Sequence, residues 1–279
     1  MFSQKAVALL DSGVGGLTVA KEIFEQLPYE NIVYFGDTAR MPYGSRSPEE
    51  IRNFVYEIID FLLIQDIKSI VIACNSATAA GLEYYREKVD LPLIGVIDPG
   101  VRAALQHTRN QKIGVIGTRG TIESGAYEKA FERAAPHVEV YSQSCPLFVL
   151  IVENGLIDTP EAQKVAEEYL KPVRDQGVDT LILGCTHYPL MADVIQEAVG
   201  PQVKLISSAE ETAKEVKFIL EQENLLHGGG GLPCNRFYVS GPAKPLMEVA
   251  DKLLGQKIKA YQVILEQKDS LLHNAGSQL

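Results

Sequence analysis

Ser69-Ile-Val-Ile-Ala-Cys74-Asn-Ser76 and Thr180-Leu-Ile-Leu-Gly-Cys185-Thr-His187 are two versions of one pattern. Each is a short apolar run that ends in a cysteine followed by polar residues. Runs of this length and composition fit strands buried on both faces of a parallel sheet. Similar runs on either side form two sets. The first covers residues 6–10, 31–35, 69–73 and 92–97. The second covers 112–116, 138–142, 180–184 and 203–206. Amphipathic stretches lie between them, such as 48–65 with Ile51, Val55, Ile58, Ile59 and Leu62 on one face. Its Pro48-Glu49-Glu50 opening supplies the first-turn proline and acids of a helix. This alternation specifies an α/β fold with parallel sheets.

The two sets run in step. The first strands end at Asp11 and Thr118, the third at Cys74 and Cys185, the fourth near Asp98 and Ser208. The near-equal spacing predicts two similar α/β lobes, each with a mainly parallel four-stranded sheet flanked by helices. The chain then continues with a helix over 209–225, a glycine-rich turn at 228–231, a strand at 236–239 and a helix from Pro242. This tail has no counterpart between the lobes and is expected to pack onto one of them. The stretch from about Gln267 is polar and expected to fray.

Composition narrows the function. The formal net charge of −10 argues against a nucleic-acid partner, which is met by a basic face. No apolar run is long enough to cross a bilayer, and no signal-peptide pattern opens the chain. The 4 cysteines show neither CxxC pairs nor metal spacing, so reduced thiols in the cytoplasm and no metal are expected.

The polar residues that could do chemistry sit at strand ends, where open α/β sheets bind ligands. Asp11-Ser12-Gly13-Val14-Gly15-Gly16 follows the first strand. It lacks the spacing of a phosphate loop and reads better as a tight turn offering N–H groups to a carboxylate. Cys145 and Cys234 read as packing residues. Cys74 and Cys185 precede polar residues at expected helix starts, a setting that favours thiolate. A redox dithiol would use CxxC. A cysteine hydrolase would use one thiol with His187 and leave the other idle. Stereoinversion uses both, since one base removes a Cα proton and an acid on the opposite face delivers another.

Other polar groups then find places. Asp11, Asp37 and Glu153 could polarise a thiol or hold a substrate ammonium, and His187 could assist Cys185. Ser12, Asn75, Ser76, Thr118 and Thr186 could donate to substrate carboxylates. The other four histidines read as structural. The helix acids Glu49, Glu50, Glu161, Glu167 and Glu168 read as solvated faces.

Six segments in order resemble the glutamate racemases: Leu10-Asp-Ser-Gly-Val-Gly-Gly-Leu17, Gly36-Asp-Thr-Ala-Arg40 with Pro42-Tyr-Gly44, Ala73-Cys-Asn-Ser-Ala77, Gly117-Thr118 with Thr121, Cys145-Pro-Leu-Phe148 with Glu153, and Gly184-Cys-Thr-His-Tyr-Pro189. The resemblance implies two pseudo-symmetric lobes with the active site in the cleft, 1–97 with 208–279 forming the first and 98–207 the second. It implies that Cys74 and Cys185 are the catalytic acid/bases, Cys74 for D-glutamate and Cys185 for L-glutamate, with Asp37 and Glu153 tuning them. Asp11, Ser12, Pro42, Tyr43, Gly44, Asn75, Ser76, Thr118, Thr186 and His187 match positions expected to contact substrate. It further implies no cofactor, glutamate as the small-molecule partner, D-glutamate supply for peptidoglycan synthesis, and a homodimer as one assembly to expect.

Met41 and Leu150 depart from the family's usual residues and bear on packing beside the site. The chain lacks the N-terminal extension of members that respond to a cell-wall precursor, so such activation is not expected. The nearest rival is an aspartate racemase, with the same chemistry. A two-lobed binding module of the exported kind would not need paired thiols.

Overall fold

The computed structural model describes residues 4–229 and 231–265. The first half runs β1 (Ala6–Asp11), α1 (Leu17–Gln26), β2 (Ile32–Gly36), α2 (Pro48–Leu63), β3 (Ile67–Ile72), α3 (Asn75–Arg86), β4 (Leu93–Gly95) and α4 (Ile97–His107). There follow β5 (Lys112–Gly117), α5 (Arg119–Glu123), α6 (Ala126–Ala134), β6 (Glu139–Ser144), α7 (Leu147–Glu153), α8 (Pro160–Arg174), β7 (Thr180–Gly184), α9 (Ala192–Val199) and β8 (Lys204–Ser207). The chain closes with α10 (Ser208–Gln222), β9 (Arg236–Val239), α11 (Lys244–Leu254) and β10 (Ala260–Gln262). Two 3-10 turns, Tyr43–Ser45 and Tyr188–Met191, lie in the connections.

The strands build two sheets with every pairing parallel. Their orders are β10-β9-β2-β1-β3-β4 and β6-β5-β7-β8. The order β2-β1-β3-β4 repeats as β6-β5-β7-β8, which is the expected two-lobed α/β arrangement. The first sheet has six strands where four were expected, because β9 and β10 from the tail add to its β2 edge.

The continuous apolar runs are explained by helices on both faces. Val7 and Leu9 of β1 pack with α1, α10 and α11, through residues such as Leu17, Ile23, Val216 and Leu246. Ala8 and Leu10 pack on the opposite face with α2, through Ile51, Val55, Ile58 and Leu62. Helix α2 starts as its sequence dictates. Ser47 accepts from Glu50 N–H, Glu50 reaches back to Ser47 N–H, and Pro48 follows the cap. In the second sheet Leu181 and Leu183 face α8 and α9, while Ile113, Val115 and Ile182 face α4 and α6.

The expected strands and helices occur with small shifts at their ends. Helix α10 ends at Gln222, and the last helix starts at Lys244. Part of the glycine turn, Gly230, and the polar stretch from about Gln267 lie outside the described residues. Among the described residues, no helix is long and apolar enough to cross a membrane.

Candidate active site

In each sheet the central strand pairs with the strand after it on one side and the next strand on the other, so the winding reverses there. The reversal opens a crevice beyond the carboxyl ends. Between β1 and β3 the crevice holds Ser12 and Cys74. Between β5 and β7 it holds Thr118 and Cys185. The two crevices face one pocket lined by Ser12, Pro42, Tyr43, Gly44, Cys74, Asn75, Ser76, Thr118, Val149, Cys185, Thr186 and His187. It encloses about 290 Å³ not filled by atoms, part of it open solvent.

Side chains from the two halves touch around this pocket. Ser76 Oγ lies 2.9 Å from Thr118 Oγ1 and 3.3 Å from Thr121 Oγ1. Asn75 Nδ2 donates to Tyr127 Oη at 2.9 Å. Thr186 Oγ1 donates to Asp11 Oδ1 at 3.4 Å. Gly44 sits so close to the second half that a Cβ there would come within 2.5 Å of Thr118 Cβ.

The two thiols have different surroundings. Cys74 is 4% exposed and caps α3 with extended backbone, as expected for a cysteine at a helix start. Its Sγ–H donates to Ser12 Oγ at 3.6 Å. The expected bias toward thiolate is overturned here. Burial, then the Asp11 carboxylate, pushes Cys74 up to about 12, outweighing the Ala77 N–H at the helix start. Cys185 is 7% exposed and precedes a 3-10 turn rather than an α-helix, so the expected helix N-terminus is absent there. Its neighbour is His187, with Nδ1 3.8 Å from Sγ. His187 Nε2 meets Glu153 Oε1 at 2.5 Å. Burial pulls the imidazole down, but the hydrogen bonds to Cys185 and Glu153 win and raise it to about 10.

The acids stand one layer behind the pocket. Asp11 is fully buried, and Gly13 N–H donates to its Oδ2 at 3.0 Å, so the glycine turn folds back on its own aspartate. Burial raises Asp11, with His187 opposing. Asp37 accepts from Tyr43 Oη and Arg40. Among the described residues, Glu153 reaches the site through its hydrogen bond with His187.

Eleven of the expected substrate and thiol positions therefore meet in one place, while Asp11, Asp37 and Glu153 support them. Val149 and Tyr127 were not foreseen. Each lies on the buried face of a helix, α7 or α6, where an aliphatic or aromatic residue reads as core. Cys145 is buried as expected, but Cys234 is exposed, since the segment before β9 crosses the surface. Met41 lies against Gly13, and Leu150 is exposed on α7. Among the described residues no His/Cys/Asp/Glu group could hold a metal.

A family model described as Asp/Glu/Hydantoin racemase matches residues 15–216. The chain is similar to a glutamate racemase of Oceanobacillus iheyensis, with 49% identity over 247 residues, 88% of this chain and 90% of that one. It is similar to the crystal structure of a glutamate racemase isoform from Bacillus anthracis. The TM-score is 0.91 and the identity 45%, covering 94% of this chain and 98% of that one. A glutamate racemase from Francisella tularensis, solved in complex with D-glutamate, gives a TM-score of 0.87 at 35% identity, covering 94% and 97%.

Proposed function

The chain belongs to the Asp/Glu/hydantoin racemase family and, within it, to the glutamate racemases, which are isomerases; from that premise we propose that it interconverts L- and D-glutamate by a two-base proton transfer between Cys74 and Cys185. The observation that carries this reading is the placement of the two thiols. They follow equivalent strands of two like sheets and line one pocket, one thiol from each sheet.

With L-glutamate bound, Cys185 as thiolate takes the Cα proton, and the electron pair is delocalised into the α-carboxylate. Cys74, held as a neutral thiol by burial and Asp11, gives its proton to the opposite face. D-glutamate forms, with Cys74 left as thiolate and Cys185 as thiol. The reverse reaction runs from that state. His187, with its proton held by Glu153, sits where it can relay protons at Cys185. The hydroxyl and amide groups of Ser12, Asn75, Ser76, Thr118 and Thr186 supply donors for two carboxylates. Short donors suit this task because they fix oxygen positions at little entropic cost.

No cofactor takes part in this scheme. The lobes in this reading are residues 1–97 with 208–279, of which 1–3, 230 and 266–279 lie outside the described residues, and residues 98–207, with the substrate held between them. The product serves peptidoglycan synthesis, and the enzyme works in the cytoplasm, with a homodimer as the assembly to test. Chiral chromatography of reactions with glutamate and aspartate, without added cofactor, tests the substrate. Faster turnover of aspartate would end the glutamate reading. A thiol hydrolase built on Cys185 and His187 would instead leave Cys74→Ala active.

A further inference from the structure

Asp37 has no exposed surface, and both of its carboxylate oxygens are engaged. Oδ2 accepts from the Tyr43 hydroxyl and from Arg40 Nε at 2.7 Å. Arg40 is itself stacked over Phe54 at 4.2 Å and paired with Glu57. Oδ1 accepts from Ser240 Oγ at 2.6 Å. Tyr43 is the one member of this group that lines the pocket.

Ser240 follows β9 directly. It belongs to the returning tail, beyond residues 15–216 matched by the family model. The tail holds the loop that leads to Pro42-Tyr43-Gly44 at several further points. Ser240 N–H donates to Gly36 O at 3.1 Å, and Ser240 Oγ accepts from Ala39 N–H at 2.9 Å. Gly241 N–H donates to Thr38 Oγ1 at 3.0 Å. A Cβ on Gly241 would come within 2.8 Å of Thr38 Oγ1, so the two segments are in close contact.

We propose that Ser240 is a positioning residue for the racemase reaction, acting through Asp37 on Tyr43 and the pocket wall. A buried carboxylate oxygen without a donor is costly. With Ser240 gone, Asp37 must rotate or take up a proton, and either change removes the fixed acceptor that holds the Tyr43 hydroxyl. Among the described residues neither thiol is hydrogen-bonded to this group, Cys74 bonding to Ser12 and Cys185 to His187, so the effect falls on substrate binding more than on proton transfer. Among the described residues, no tail strand adds to the second sheet. Support of this kind is therefore one-sided, reaching only the wall beside Cys74. The inference rests on glutamate being the substrate.

Kinetics of L-glutamate racemisation by the full chain test it. Ser240→Ala is expected to raise KM about tenfold with kcat within about threefold, the pattern of lost ground-state binding. Ser240→Thr keeps the hydroxyl and is expected to hold KM within about twofold. In a Tyr43→Phe background, Ser240→Ala should add less than about twofold, because the group it acts through is already gone. Should the alanine variant fail to fold, Ser240→Thr and Ser240→Val carry the same comparison, with only the valine raising KM.

Unchanged KM in Ser240→Ala, equal defects with and without the hydroxyl, a fall in kcat alone, or effects that multiply fully with Tyr43→Phe would each overturn the role. A wild-type chain that does not racemise glutamate would sink the functional reading and this role together. An active wild type with an indifferent Ser240 would sink only the role.

Discussion

Cys74 and Cys185 close equivalent strands, yet one thiol sits beside a carboxylate and the other beside an imidazole. Cys74 gains a helix start and still stays protonated, because removal from water and the Asp11 charge together exceed what one N–H can return. Cys185 lacks the helix start and has His187 instead. His187 carries a consequence for stability. Its pKa is raised on folding to about 10, so the folded state holds that proton more tightly than the unfolded chain. The stability it supplies is fully present below the unfolded value near 6.5 and fades as pH rises through about 10. Denaturant unfolding at pH 6 and above pH 10 should show the loss in the wild type. In Glu153→Gln that loss should shrink by about 1.5–3 kcal/mol, the usual worth of a hydrogen bond to a charged group. An unchanged pH slope would contradict the pairing.

The residues themselves were legible in the sequence to a useful degree. A cysteine at the end of a buried strand stands out, and two at matched positions stand out more. Composition could not reveal that their environments differ, since the Asp11 charge beside Cys74 and the His187–Glu153 link come from segments distant in sequence. Asp37 shows this most clearly. It was legible as an acid after β2, but its partner Ser240 lies about 200 residues away. No local pattern encodes that contact.

At the scale of elements, the site depends on turns at strand ends staying close together across the cleft. The 3-10 turn Tyr43–Ser45 approaches α5 so tightly that Gly44 leaves no room for a side chain. Gly44→Ala should force this turn away from Thr118 and widen the pocket. Glutamate KM should rise at least about tenfold, with little loss of fold stability because the strain is relieved by opening the cleft. A KM within twofold of wild type would show that the turn and α5 need not meet. Helix α2, behind this turn, makes a contrasting case. Its capping box was readable from Ser47-Pro48-Glu49-Glu50, and Ser47→Ala should cost about 1 kcal/mol in a thermal melt without disturbing binding. A loss below about 0.3 kcal/mol would contradict that role. Strands were readable because parallel sheets buried on both faces demand continuous apolar runs. Lengths at helix ends were less so, since packing decides them.

For the whole molecule, the tail is the part the repeat could not forecast. Repetition foretold two four-stranded sheets, and β9 and β10 then extended one of them. The chain between α10 and β9 is tied to the sheet by a buried pair. Lys68 on β3 meets Glu30 at 2.5 Å, donates to Leu225 O at 2.7 Å, and Glu30 accepts from His227 N–H at 2.7 Å. Lys68→Met would leave the Glu30 charge buried, and unfolding in urea should show a loss of about 3–5 kcal/mol. A loss under about 1 kcal/mol would mean that water or rearrangement satisfies the carboxylate. The covering of both sheets and the position of the pocket at the winding reversals follow from the element order. The tail's return is fixed by contacts between distant segments.

Exchange of the Cα proton by two thiols lining one pocket brings solvent hydrogen to Cα. Incubating L-glutamate with the enzyme in D₂O and following Cα by NMR and chiral chromatography tests this exchange. The expected result is D-glutamate carrying deuterium at Cα with the wild type, most activity lost in Cys74→Ser and Cys185→Ser, and neither inversion nor labelling when both cysteines are alanine. Racemisation by the double alanine variant would contradict it.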